Sequence, residues 1–301
     1  MGYLFLVLAL ASGLTKGFCG KKTSGGIVCR SDSMVINVLR MVLCIVIGFL
    51  LMLFQRSLSD IVPDRFLLLV SLLSGVATAA FVVSWLLSVR QNAYMLLEVF
   101  MLISTIVPIV LCRIFFEEEI KPLQILGIAV LALSVLIMCT YNVSIKGKIS
   151  FSSILLMLFC SLASGMADFS QKLYVKEQPS ASIAAFNFYT YIVAALALLV
   201  ACYFFRREDR QKGEEPRKPM AIIKPLRFYV LVMAVCLFAN SFFKTKAALY
   251  LDAVYLYPLL QGSGVVLSLL MSAIFFKEKI NAKCIVGLSL AFVALLMINF
   301  L

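Results

Sequence analysis

Histidine is absent from this chain of 301 residues. That removes the usual general base, the commonest metal ligand and the usual proton relay. The nine cysteines, Cys19, Cys29, Cys44, Cys112, Cys139, Cys160, Cys202, Cys236 and Cys284, are scattered and form no C-x-x-C pair. They support neither a zinc site nor dithiol chemistry and read as small hydrophobes. Neither H-E-x-x-H nor a P-loop occurs, so no metal, cofactor or nucleotide is implied. Charge is sparse, at 14% of residues, and acids are fewer than bases, 15 against 27. No segment alternates polar and apolar residues over roughly ten positions, which excludes a transmembrane β-barrel. The opening "MGYLFLVLALASGL" has no basic leader and no cleavage signature after it, so it reads as a retained first helix.

What is present is apolar. Hydrophobic residues make up 63% of the chain and the mean hydropathy is +1.04, against about 45–50% apolar in a soluble domain. The excess is spread along the whole length in windows of the roughly 20 residues that a lipid span needs. The expected fold is an all-α polytopic membrane protein with ten transmembrane helices. The expected spans are 3–21, 34–54, 67–89, 93–115, 121–141, 151–174, 182–205, 227–247, 253–276 and 281–301. Short breaks such as "RQN" and "ALYLD" make consecutive helices antiparallel neighbours. The charged, proline-containing stretch 206–227 reads as a solvated, mobile connector. The net charge of +12 fits basic loops that meet a lipid bilayer rather than nucleic acid.

One punctuation is written twice. "FFEEEIKPLQILG" at 115–127 returns as "FFKEKINAKCIVG" at 275–287. A shift of 160 places Glu118 on Glu278, Ile120 on Ile280, Gly127 on Gly287, Ala93 on Ala253 and Leu96 on Leu256. "LASG" recurs at 10–13 and 162–165. Residues 1–145 and 150–301 therefore read as one five-helix unit duplicated. An odd number of spans ends on the opposite face from its start, so the second copy runs upside down, as in inverted-repeat transporters. The acids sit just before the next helix, where negative charge suits the helix dipole. They read as a cap and hairpin turn, in preference to a direct substrate role for Glu118 or Glu278.

Four stretches carry a family likeness over essentially the whole chain. They are "NVLRMVLCIVIGFLL" with Arg40, "WLLSVRQNAYMLLEVFMLISTIVPIVL" with Pro108, "FFEEEIKPLQILGIAVLALSVLIM", and "ALYLDAVYLYPLLQGSGVVLSLLMSAIFFKEKINAKCIVGLSLAFVALLMI". The chain resembles the ten-helix, EamA-type branch of the drug/metabolite transporter superfamily. One departure is Ser268 at the counterpart of Pro108. The resemblance implies transport of a small metabolite by alternating access. It leaves the substrate open among amino acids, sugars, nucleotide-sugars, organic anions and drugs.

Ionisable groups inside spans cost about 2.5–3.5 kcal/mol each on insertion scales, so each needs a partner or a water-filled cavity. They are Lys16, Arg40, Glu98, Asp168, Lys172, Lys244 and Lys246. Let the face holding the N-terminus be N and the other X. Counting spans puts Lys16, Arg40 and Glu98 beside an X-side vestibule, and Asp168, Lys172 and Lys244 beside an N-side one. Asp168 and Lys172 are spaced to pair on one helix face. Lys172 and Lys246 also read as groups that snorkel at helix ends. "YLYPLLQGSG" at 255–264 supplies Tyr257, Pro258 and Gln261, as an unwound binding segment or a tight crossing of small residues. Trp85 and the mid-span Asn240 are further cavity candidates.

Bases outnumber acids in this set, which points to an anionic or zwitterionic substrate, such as an amino acid or organic acid. The alternative is an exporter of drugs or other cationic compounds. Glu98 and Asp168 are the carboxylates placed for a coupled proton; an exchanged metabolite is the other coupling partner. The chain carries no motif of an enzyme, and the inverted repeat disfavours a receptor or channel subunit. The expected location is a bacterial inner membrane. Orientation stays open: the Lys/Arg bias of the loops places X in the cytoplasm, whereas the resemblance implies cytoplasmic termini.

Overall fold

The computed structural model of the protein describes residues 1–26, 30–55, 61–90, 97, 100–146, 151–211, 219–276 and 282–300. Among them lie ten α-helices: α1 (Gly2–Ser24), α2 (Arg30–Phe54), α3 (Arg65–Arg90), α4 (Ile106–Phe116), α5 (Pro122–Lys146), α6 (Phe151–Glu177), α7 (Ile183–Gln211), α8 (Pro219–Ala248), α9 (Ala253–Phe276) and α10 (Ala282–Phe300). A 3₁₀ turn, Ile103–Thr105, precedes α4. Six helices (α1, α2, α3, α6, α7 and α8) are long and apolar enough over the described residues to cross a membrane. Their outward faces stay apolar. On α3, Leu68, Leu69, Leu72 and Val76 are exposed, while Ser71 and Ser74 point inward and are buried. That is the reverse of a soluble helix and suits lipid. The protein is a multi-pass membrane protein.

The helix contacts are two-fold symmetric under exchange of each helix with the one five places later. α1 packs on α8 as α6 packs on α3; α2 on α8 as α7 on α3; α4 on α6 as α9 on α1. The pairs α2–α7, α5–α10 and α4–α9 map onto themselves. Since equivalent helices run in opposite directions, the architecture is two inverted five-helix repeats. The join expected between 145 and 150 falls on residues 147–150, outside those described.

Several local features depart from expectation. α7 continues to Gln211 and α8 begins at Pro219, so the stretch 206–227 is largely helical. Proline is favoured at a first helical position, and Asp209 is buried where its Oδ2 accepts the Ser31 backbone N–H at 3.3 Å. Pro258 does not unwind α9, which runs unbroken through it. It sits within the first two turns, where only the bond to the Val254 carbonyl is lost. Pro108 has a larger effect. Its missing N–H frees the Ser104 carbonyl, and the preceding turn tightens, with the Ser104 and Thr105 hydroxyls donating to the Met101 and Leu102 carbonyls. The freed Ser104 carbonyl faces Gly165 of α6 so closely that a Cβ there would lie 2.6 Å away.

Candidate functional site

A cavity of about 120 Å³, lined by both polar and apolar side chains, lies where the repeats meet. Its walls come from both of them: Leu10, Gly13, Leu14, Lys16 and Gly17 of α1, and Thr78, Phe81 and Trp85 of α3, face Ser164, Ala167, Asp168 and Gln171 of α6. Tyr191 of α7, Leu237, Asn240, Ser241 and Lys244 of α8, and Leu260, Gln261, Gly264 and Ser268 of α9 complete it, with Met101. It is smaller than the roughly 300–1,000 Å³ of drug-sized pockets and large and polar enough to hold water.

Its centre is an ion pair. The Lys244 ammonium donates to Asp168 Oδ1. Asp168 is fully buried, and its second oxygen, Oδ2, has no hydrogen-bond partner. The Gln261 side chain is within hydrogen-bonding reach of the same carboxylate, and Lys16 lies near it. Lys16 also sits over the Phe81 ring, 5.3 Å from its centroid, a geometry that favours a cation. Among the described lining residues two lysines thus meet one aspartate. α6 is fixed here by α9: the Tyr257 hydroxyl donates to the Asp168 backbone carbonyl at 2.7 Å. α1 is fixed by α8: the Asn240 amide donates to the Ala9 carbonyl at 2.7 Å. A third tie runs through buried amides and hydroxyls. Gln171 Nε2 donates to Ser241 Oγ at 3.1 Å, Ser241 donates to Asn187 Oδ1 at 2.6 Å, and the Asn187 amide donates to the Ile183 carbonyl at 3.0 Å.

The structure therefore brings Lys16, Trp85, Asp168, Asn240, Lys244 and Gln261 together in one cavity. Three expected residues stand elsewhere. Arg40 is buried in α2, where its Nη1 donates to Asn37 Oδ1 at 2.7 Å and its Nε has no partner. Tyr257 reaches the site only through the Asp168 backbone. Lys172 does not pair with Asp168. It donates to the Ala248 and Leu251 carbonyls at 3.1 and 2.8 Å and lies 3.5 Å from Glu118 Oε1. Two carbonyls of the turn after α8 capture it, and Lys244 takes the carboxylate instead. Glu98 and Glu278 lie outside the described residues.

The expected pair of separate vestibules is not what the geometry gives. Lys16 stands about 21 Å along α1 from the N face and Lys244 about 6 Å from the N-face end of α8. Their antiparallel helices pack side by side, and both side chains line one cavity. Glu118 also has a different task from the one expected. It does not cap α5, whose Lys121 N–H is taken by Gln124 Oε1 at 2.9 Å. Its Oε2 accepts the Ala253 N–H at 3.0 Å, so it caps α9 of the other repeat while facing Lys172. The turn before α5, helix α6 and the turn before α9 are thereby tied together at the N face. Toward the X face, Trp85 lies across Gly20 of α1, where a Cβ would come within 2.5 Å of the ring.

Reasoning on charges alone missed Gln171, Ser241 and Phe81. The signal was available in Gln171: a second polar residue one turn after Asp168, on the same helix face.

Residues 151–300 match the EamA-like transporter family. A solved structure, described as a crystal structure of a protein, superposes with a TM-score of 0.71 at 12% identity, covering 99% of this chain and 96% of that chain. At that identity it shares the fold alone. No curated protein matches the sequence.

Proposed function

The chain belongs to the EamA-like transporter family, and from that premise we propose a secondary transporter that carries a small anionic or zwitterionic metabolite by alternating access. The family places a small-molecule substrate and a lipid bilayer in the protein's chemistry. The finer reading rests on one observation: Lys16 and Lys244 face a single buried carboxylate, Asp168, in a cavity lined by both repeats. The described lining residues carry one positive charge in excess, which favours a substrate with an oxyanion. The modest cavity favours a small one. A site between inverted repeats is where alternating access needs it. Asp168 is the carboxylate placed to carry a coupled proton, with metabolite exchange as the other drive. The protein works in the cytoplasmic membrane and catalyses no covalent step.

The buried Asp168 carboxylate, in a cavity that the Phe81 and Trp85 rings also line, favours a second reading, an exporter of cationic compounds. Counterflow in liposomes separates the two. Vesicles loaded with unlabelled organic acids or zwitterions should accelerate uptake of the labelled compound, and Lys16→Gln should weaken that uptake. Counterflow with cations alone would overturn the first reading.

A further inference from the structure

Away from the central cavity, at the N face, Lys172 ends in a cage of oxygens. Its ammonium donates to the Ala248 and Leu251 carbonyls at 3.1 and 2.8 Å. It faces Glu118 Oε1 at 3.5 Å and Asp252 Oδ1 at 4.0 Å. A lysine that merely snorkels keeps its head in water; this side chain is only 4% exposed. The carbonyls are open for a structural reason. Ala248 is the last residue of α8, where carbonyls lose their helical partners and carry the negative end of the dipole. The N–H groups of the turn, from Leu249, Tyr250 and Leu251, go to the Lys246 and Ala247 carbonyls instead. Carbonyls at a helix C-terminus with carboxylates beside them are a donor set that suits a free cation. Here a tethered one fills it.

We propose that this cage is a monovalent-cation site whose occupant is the protein's own Lys172 ammonium, and that the N face opens when that ammonium leaves. The two repeats support the first half. Counted from the shared Leu-Ala-Ser-Gly, the counterpart of Lys172 in α1 is Gly20, and the shift of 160 puts Asn92 opposite Asp252. The copy without the lysine thus also lacks one of the two carboxylates, so the cation and its counter-charge go together. The second half follows from what the ammonium joins: α6, the turn before α5 through Glu118, and the turn between α8 and α9. A wall built this way closes on a tethered cation and needs no free ion at that place. The occupancy stands by itself; the opening rests on the alternating-access reading.

The test empties the cage in the full-length protein and refills it. Lys172→Ala removes everything beyond Cβ, which is the shape of propylammonium. In choline chloride the variant should unfold at a lower temperature than the wild type. Propylammonium chloride at equal ionic strength should recover at least about half of that loss, and saturably, as a bound ligand does. Sodium and potassium chloride form parallel arms that tell an alkali cation from an ammonium. Lys172→Met, whose uncharged stem fills the space, should recover nothing, and the wild type should not respond. In a background retaining Cys112 as the one thiol, maleimide labelling of this buried cysteine should rise in Lys172→Ala and fall back with propylammonium. If no cation separates Lys172→Ala from Lys172→Met, or the wild type is stabilised equally, the cation site is wrong. If stability recovers while labelling does not, the site stands and its hold on the N face falls. A variant that aggregates in choline is extracted into propylammonium: solubility there alone supports the site, and aggregation in both overturns it. Loss of counterflow by the wild type would sink the transporter reading and leave these results as they are.

Discussion

α1 and α6 hold the same tetrapeptide, Leu-Ala-Ser-Gly, and three residues after its glycine one carries Lys16 and the other Asp168. The two side chains occupy equivalent places in the repeats and face the same cavity. The two helices share one short sequence and carry opposite charges at the position that faces the cavity. The glycines of the two copies differ as well. Gly165 is pressed against the freed Ser104 carbonyl and Val107, whereas Gly13 has only the Asn240 amide nearby, at 3.1 Å from a Cβ. The equivalent of Ser104 across the repeat is Gly264, which touches only Leu10 at 3.8 Å. So at Gly165 α6 abuts the turn before α4 directly, whereas at Gly13 and Gly264 α1 and α9 leave room for the cavity that both glycines line. Helix packing obeys the symmetry; the chemistry departs from it where Pro108 is matched by Ser268.

The sharpest way to break this comparison is to remove one charge from each copy. Asp168→Leu strands Lys244 in a buried site and should cost about 3–5 kcal/mol, read as a lower unfolding temperature. Adding Lys244→Met should recover most of it. Lys16→Leu should cost less than about 1 kcal/mol, because this half-buried lysine is not the partner in that ion pair; an equal loss would sink the asymmetry. The glycines come next. Gly165→Ala forces the α4–α6 crossing apart and should destabilise by about 1–3 kcal/mol, as overpacking does. Gly13→Ala needs only a small shift of Asn240 and should stay below about 1 kcal/mol. Smallest is the N-face tie. Glu118→Gln keeps an acceptor for the Ala253 N–H and removes the charge facing Lys172, a change of about 1 kcal/mol. Its readout is access: in a variant retaining Cys112 as its one thiol, maleimide labelling of this buried cysteine should rise. Unchanged labelling would show that the tie does not hold the N face shut.

Hydropathy alone placed a helix in each of the ten expected windows, because a lipid span is a local property of about 20 residues, although of the expected 93–115 the described α-helix covers Ile106–Phe116. What escaped was the choice of partner. The spacing of Asp168 and Lys172 permits a pair, yet Lys244 and two turn carbonyls, some 76 residues away in sequence, divide them. Glu118 looked like a cap for the helix beside it and instead reaches Ala253, 135 residues on. Periodicity cannot report such contacts. Arg40, singled out as a deep charge, is indeed deep, but which wall it faces depends on the packing of α2 rather than on its own sequence. The helical extension through Arg206–Gln211 was masked by charge, which reads as loop unless the helix projects beyond the bilayer.

Trp85 is the sole tryptophan of the chain, and it lies over Gly20 at the X-ward end of the cavity. The intrinsic tryptophan emission of the whole protein is thus the signal of one ring at one boundary of the site. Wetting or drying of that boundary will shift its wavelength with no engineered probe and no background from other indoles. The molecule carries its own optical reporter, and a ligand titration followed at 295 nm excitation, in the usual tryptophan-selective range of about 295–300 nm, reads the X-side wall directly.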